Sequence, residues 1–247
     1  MLLDQKIAVI YGGGPISQAV TEAFIREGAR VWLAGRNAEK LESIAASIDE
    51  GPAVRTAFVD ALDETLVDDF ANRVASEHGR IDISFNLIGL EDVQQPLMDI
   101  AAEEFFQPVS NAVRSQFLTI RAAARHMIPK KAGAVLLFGG GGPQTLPGLG
   151  GFKVALDAVE SLRRQWAVEL GPYGIRVVTI KSGGIPETIP ESFPHKLAIE
   201  ASITQSSLLG RAATLDDVGN VAAFIASDKA RTITASEVNI SSGSIVE

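Results

Sequence analysis

The feature that most constrains this chain is a regular alternation of short apolar runs with longer segments of helical period. The runs are rich in Val, Ile, Leu and Phe, a composition typical of strands covered on both faces in a parallel sheet. Between them, apolar residues recur every three or four positions, as at Leu41, Ile44 and Ile48, which indicates helices with one buried face. The pattern predicts strands at residues 7–11, 31–34, 54–59, 83–88, 135–138, 177–180 and 238–240.

Strand–helix alternation along the whole chain predicts an α/β fold made of βαβ units. We expect a single Rossmann-like, doubly wound domain over residues 1–247, with a seven-stranded parallel sheet and helices on both faces. Only residues 183–209 break the rhythm, and they contain Pro186, Pro190 and Pro194. Ligands of such folds bind beyond the carboxyl ends of the strands, so we predict that residues 183–209 form a mobile flap over a substrate.

Composition narrows the classes of function. The net charge is −8 with no basic stripe, which argues against binding to nucleic acid or anionic membranes. The sequence has no cysteine, which removes thiol nucleophiles, disulfides and thiolate zinc sites, and no cluster has metal-ligand spacing. No apolar run approaches the roughly 20 residues of a membrane span, and the first residues do not resemble a signal peptide. We expect a cytoplasmic protein without a metal, acting on a small molecule.

A glycine-rich turn joins the first predicted strand to the first predicted helix. Residues 12–17 read Gly-Gly-Gly-Pro-Ile-Ser, with the spacing G-x-G-x-x-S. Glycines let the backbone approach a pyrophosphate closely, and the following helix offers free N–H groups and the positive end of its dipole. Ser17 stands where a third glycine usually allows close packing of helix and strand. We predict that Gly12, Gly14, Ile16 and Ser17 contact a dinucleotide.

The end of the second predicted strand bears on the choice of cofactor. Sites selective for NAD usually place an acidic residue there for the ribose hydroxyls. This chain has Gly35 followed by Arg36, and an arginine can form a forked contact with a 2′-phosphate. The pattern favours NADP(H) over NAD(H). The alternative is that Arg36 is a solvated residue at the start of a helix.

In the order and spacing of these motifs, essentially the whole chain resembles the short-chain dehydrogenase/reductase superfamily. Residues 12–17 resemble the family's Thr-Gly-x-x-x-Gly-x-Gly loop, with Tyr11 where threonine is usual. The resemblance implies the strand order 3-2-1-4-5-6-7, and a homodimer or homotetramer formed through helices at residues 111–126 and 152–170. It also implies further cofactor contacts at Asp60, Ala61, Asn86, Ile88, Gly89, Gly183 and Ile185.

The resemblance fails at the catalytic residues. The family uses Asn, Ser, Tyr and Lys, and only the asparagine is retained, as Asn111. Gly140 occupies the serine position, or Gly139 if the alignment shifts by one residue. Phe152 occupies the tyrosine position and Leu156 the lysine position. The Tyr–Lys pair exchanges a proton with the substrate oxygen near neutral pH, and one positioned donor contributes about 10²–10⁴-fold to the rate. His195, in the predicted flap, is a further candidate for proton transfer because histidine titrates near neutral pH.

Three functions therefore stay open. The first is an NADP(H)-dependent oxidoreductase for a carbonyl or alcohol substrate, with atypical or weak catalysis. The second is a catalytically inactive dinucleotide-binding protein that acts as a sensor or as a partner subunit. The third is a non-redox isomerase or lyase that uses the same pocket.

Overall fold

The computed structural model describes residues 1–48, 51–139, 145–193 and 195–246. Within these residues, seven parallel strands form one sheet in the order β3-β2-β1-β4-β5-β6-β7, which confirms the predicted fold class and strand order. The strands are β1 (Ile7–Tyr11), β2 (Arg30–Gly35), β3 (Val54–Phe58), β4 (Ile83–Asn86), β5 (Gly133–Gly139), β6 (Ile175–Lys181) and β7 (Ser236–Asn239).

Helices cover both faces of the sheet. Three long helices, α3, α4 and α5, pack side by side on one face, while α1 packs against α7 on the other. None of the helices described is both long and apolar enough to cross a membrane. The helices are α1 (Pro15–Arg26), α2 (Ala38–Ile48), α3 (Glu64–His78), α4 (Ala102–Met127), α5 (Phe152–Leu170), α6 (Lys196–Ser206) and α7 (Leu215–Ala226).

The core consists of two apolar layers separated by the sheet. Successive residues of a strand point to opposite faces, so β1 contributes to both layers. Its Val9 and Tyr11 join the layer under α3, α4 and α5, whereas Ala8 and Ile10 join the layer under α1 and α7. Burial on both faces explains why the strands have nearly continuous apolar sequences.

Several elements differ from the sequence predictions, and three of these differences have a clear physical reason. The helix after the first strand begins at Pro15, because the fixed φ of proline suits a first helical position. Strand β4 ends at Asn86, whose side-chain oxygen accepts a hydrogen bond from the Ile88 N–H and turns the chain. Helix α6 lies within the segment predicted as a flap; none of its residues is buried, so it lacks the apolar stripe that reveals a helix.

A buried ionic network links α5 to the last two strands. The side chains of Glu160 and Arg163 are only 5% and 3% exposed, and their Oε2 and Nε atoms lie 2.7 Å apart. The Thr179 hydroxyl donates to the same carboxylate, and the Nζ of buried Lys181 lies 2.5 Å from Glu237 Oε2. Burial raises the pKa of Glu160, although the hydrogen bonds from Thr179 and Arg163 oppose that shift. The network fixes α5 to the sheet edge through paired charges.

Candidate functional site

A cleft of about 490 Å³ opens at the carboxyl ends of the strands, where the chain order reverses between β1 and β4. This is the position at which open α/β sheets bind ligands. Its walls come from the connections that follow β1, β2, β3 and β4. Of the residues predicted to contact a cofactor, those lining the cleft are Gly12, Gly14, Ile16, Ser17, Arg36, Asp60, Ala61, Ile88 and Gly89.

Gly12 and Gly14 of the turn have different structural roles. Gly12 has φ +128°, and a Cβ there would lie 2.7 Å from the Leu87 carbonyl oxygen and 2.8 Å from Ser17 Oγ. Only a residue without a side chain lets β1, β4 and α1 approach so closely. Gly14 has φ −92°, and a Cβ there would meet nothing within 4 Å. Gly14 therefore leaves the start of α1 open toward the cleft.

The beginning of α1 suits an anionic group. Pro15 takes the first helical position, and the first turn has no acidic residue. Among the described residues, no side chain caps the helix. The Ser17 hydroxyl is fully buried and has no hydrogen-bond partner among the described residues. Uncapped N–H groups carry the positive end of the helix dipole. An unpaired donor and open amides fit the pyrophosphate of a dinucleotide.

Arg36, which the sequence pattern assigns to a 2′-phosphate, forms an ion pair in this structure. Its guanidinium Nη2 lies 2.5 Å from Glu91 Oε1, and the Glu91 hydrogen bond raises the pKa of Arg36. Sequence reasoning missed Glu91, because it follows β4 and lies 55 positions from its partner. It also missed Lys40, which lies in the first turn of α2 and lines the cleft. A second basic residue shortly after Arg36 was the available signal.

Asp60 and Asn86 use their side chains to shape the walls. Asp60 lines the cleft, and its Oδ1 accepts from the Leu62 N–H at 2.9 Å. Asn86 is buried and does not line the cleft. Its Oδ1 accepts from the Ile88 N–H at 3.0 Å, and its Nδ2 donates to Thr119 Oγ1 at 3.1 Å. Asn86 therefore positions the cleft wall and does not form part of its surface.

Gly183 and Ile185, the two residues after β6 that were predicted to contact the cofactor, do not line the cleft. A Cβ on Gly183 would approach Ser244 Oγ to 2.0 Å, so this glycine allows close chain packing. Ile185 is 4% exposed and belongs to the core layer under α1 and α7. Thr188, from the same segment, does line the cleft and was missed. Its hydroxyl donates to the Ile185 carbonyl oxygen at 2.7 Å.

Asn111 lines the cleft from α4 and is held from two directions. Its Oδ1 accepts from Gln107 Nε2 at 2.9 Å, and its Nδ2 lies 3.3 Å from the Leu90 carbonyl oxygen. The same Nδ2 lies 3.5 Å from Glu91 Oε2. The amide of the retained tetrad residue is thus tied to the loop that follows β4.

The other catalytic positions carry apolar or distant groups. Phe152 begins α5, and Leu156 lies one turn later, with its Cδ2 3.7 Å from the point that a Cβ on Gly139 would occupy. Gly140 lies outside the described residues. His195 is exposed, has φ +59° and precedes α6, away from the cleft lining. The described residues contain no group of three or more His, Cys, Asp or Glu able to hold a metal.

A family model described as enoyl-(acyl carrier protein) reductase matches residues 14–244. Levodione reductase of Leifsonia aquatica is 31% identical over 254 residues, which cover 97% of this chain and 94% of that protein. The chain belongs to the short-chain dehydrogenase/reductase family. That family consists of NAD(P)-dependent oxidoreductases acting on alcohols and carbonyl compounds.

Other members give the same picture. Secoisolariciresinol dehydrogenase of Forsythia intermedia is 29% identical, covering 98% of this chain and 89% of that protein. The crystal structure of levodione reductase superposes with a TM-score of 0.86 at 28% identity, covering 97% of each chain. NAD⁺-bound xylitol dehydrogenase gives a TM-score of 0.89 at 23% identity, over 98% of this chain and 100% of that one, which shows the shared fold.

Proposed function

We propose that this chain binds NADP(H) in preference to NAD(H) in the cleft and acts as an oxidoreductase on a carbonyl or alcohol, with weak or atypical proton transfer. The observation that carries the proposal is the uncapped start of α1, where Gly14 and Ser17 line the cleft and the buried Ser17 hydroxyl has no partner among the described residues. When bound, the cofactor supplies or accepts a hydride. The family membership supports a nicotinamide dinucleotide as the ligand.

Different residues of the cleft would bind different parts of the cofactor. The free amides at the start of α1 would hold the pyrophosphate, and the Ser17 hydroxyl would donate to it. Arg36 and Lys40 supply positive charge on the wall beyond β2, where a 2′-phosphate would be recognised. Asp60 lies on the wall beyond β3, in the position that the family uses for the adenine.

Proton transfer is the weak part of the site. Phe152 and Leu156 have no proton to donate. The side-chain amide of Asn111 is already hydrogen-bonded to Gln107 and to the loop after β4. Losing a positioned acid–base group lowers the rate by about 10²–10⁴-fold. Proximity of hydride donor and substrate would still allow slow turnover. A proton would then come from water, from the substrate or from His195, if the segment 183–209 closes as a substrate flap.

A second function is favoured by the same apolar positions. A chain that keeps the cofactor cleft but has Phe152 and Leu156 at the reactive positions suits a dinucleotide sensor or an inactive partner subunit. For assembly we propose a homodimer or homotetramer through α4 and α5. Their outer faces expose Phe106, Phe117 and Val168, at 63%, 39% and 73%. We place the protein in the cytoplasm, with which a sequence lacking cysteine is compatible.

Calorimetry with NADPH and NADH tests the cofactor, and we expect micromolar affinity for NADPH with weaker binding of NADH. NADPH oxidation is then followed with a panel of ketones, for the wild type and for a variant carrying Gly140→Ser, Phe152→Tyr and Leu156→Lys. Slow wild-type turnover that rises in the variant supports the oxidoreductase. Binding without turnover in the wild type favours the sensor. If neither dinucleotide binds, the proposed function is wrong.

A further inference from the structure

The Arg36–Glu91 ion pair crosses the mouth of the cleft. Arg36 follows β2 and Glu91 follows β4, and these two strands lie on either side of β1 in the sheet. A contact between them must pass over the carboxyl end of β1, where the glycine turn begins at Gly12. All three residues line the cleft. The pair is therefore placed where a dinucleotide on this turn would run.

From this placement we propose that Glu91 is the chain's own competitor for the arginine that selects the cofactor. Its carboxylate is bonded to Nη2 of Arg36, so a 2′-phosphate that takes both guanidinium donors has to displace it. A cofactor with a 2′-hydroxyl brings no charge to Arg36 and leaves the ion pair in place. Glu91 thereby lowers the affinity for the phosphorylated cofactor alone and sets how far the cleft prefers NADP(H). This inference rests on the proposed cofactor site.

The contacts of Glu91 allow such an exchange. The side chains of Arg36 and Glu91 are 56% and 51% exposed, so solvent screens the pair and it opens at little cost. The Glu91 side chain lines the cleft, and its backbone has φ +59°. Glu91 Oε2 also lies 3.5 Å from Asn111 Nδ2. A carboxylate released by Arg36 keeps this second partner, which reduces the cost of its release.

The expected size of the effect follows from the exposure. An exposed ion pair shifts an equilibrium by about two- to fivefold. A 2′-phosphate carries roughly −1.5 to −2 charges and is also repelled by the nearby carboxylate. Replacing Glu91 by the neutral, equally long glutamine removes both effects. We expect Glu91→Gln to tighten NADPH binding by about three- to tenfold and to change NADH binding by less than about twofold.

The neighbouring Asp92 provides a matched control. It lies in the same loop, but its carboxylate accepts a hydrogen bond from Gln94 and it does not line the cleft. Asp92→Asn removes the same charge from the same loop without freeing Arg36. Calorimetry is performed on the wild type, Glu91→Gln and Asp92→Asn, with NADPH, NADH, 2′,5′-ADP and 5′-AMP. The two nucleotide fragments report on the adenosine end of the cleft alone.

Tighter binding of NADPH and 2′,5′-ADP to Glu91→Gln, with NADH, 5′-AMP and Asp92→Asn unchanged, supports the proposal. Equal changes for phosphorylated and unphosphorylated ligands, or no change for any ligand, would overturn it while the cofactor site stands. Weaker binding of NADPH to Glu91→Gln would also overturn it, because the carboxylate would then assist recognition. If no ligand binds to any variant, the proposed function fails together with this inference.

Discussion

Replacing Gly14 by alanine separates the role of the glycine turn in binding from its role in folding. Gly14 has φ −92° and open space around the position of a Cβ, so alanine fits the native backbone. Fewer unfolded conformations add about 0.4–1 kcal/mol to the free energy of unfolding, and the poorer suitability of alanine as the N-cap of α1 offsets this gain, so stability should change little. The new methyl group lines the cleft and blocks close approach of a pyrophosphate. At an overpacking cost of about 1–3 kcal/mol, the affinity for NADPH falls about 5- to 150-fold.

The matched variant is Gly12→Ala, two positions earlier. We expect this variant to lose stability, whereas Gly14→Ala should lose only NADPH binding. A side chain at φ +128° costs about 1–3 kcal/mol. Relieving a 2.7 Å contact between its Cβ and the Leu87 carbonyl oxygen costs about 1–3 kcal/mol more. The sum of roughly 2–6 kcal/mol is a large part of the 5–15 kcal/mol that stabilises a typical domain. Gly12→Ala should therefore be strongly destabilised.

Urea unfolding measures stability for both variants, and calorimetry with NADPH measures binding for Gly14→Ala. The expected result is a stable protein that binds poorly for Gly14→Ala, and an unstable protein for Gly12→Ala. NADPH binding to Gly14→Ala as tight as to the wild type would refute the placement of the diphosphate on this turn. An unchanged unfolding midpoint for Gly12→Ala would refute the argument from backbone strain.

Three further predictions concern the rest of the fold. Arg163→Met leaves the buried Glu160 carboxylate without its cation and should cost about 3–5 kcal/mol of unfolding free energy in urea. Burial already raises the pKa of Glu160, and loss of the Arg163 cation raises it further. The loss of unfolding free energy should therefore be largest above that pKa and should shrink as falling pH protonates Glu160. A loss that does not change with pH would contradict this reasoning. Phe117 lies on α4 in the proposed subunit interface, so Phe117→Glu should convert the proposed oligomer to monomers in sedimentation velocity. Leu197→Glu is the control, because Leu197 is 80% exposed on α6, outside that interface. Asn86→Ala should lower the free energy of unfolding by about 1–3 kcal/mol in the same urea assay, because a buried turn loses its hydrogen bonds; an unchanged midpoint would show that water replaces them.

Local sequence patterns were sufficient to predict the fold class, whereas the strand order came from the family resemblance. Apolar runs buried on both faces and helical stripes such as Leu41, Ile44 and Ile48 depend on neighbouring positions, and they predicted the strands and most of the helices. The pattern failed at α6, which buries no residue, and at the end of β4, which a side-chain hydrogen bond sets. No apolar periodicity marks α6, whereas at β4 the apolar residues Leu87 and Ile88 continue beyond the end of the strand.

The sequence also determined which turn lines the cleft, because Gly12 and Gly14 follow the first strand directly and the fold places that junction at the switch point. Only the tertiary structure decided what faces that turn. It brought Glu91 onto Arg36 and placed Thr188 on the cleft wall. Such contacts depend on which strands become neighbours and on the direction of loop side chains. Those relations join residues far apart in the chain, and they leave no periodic trace in its sequence.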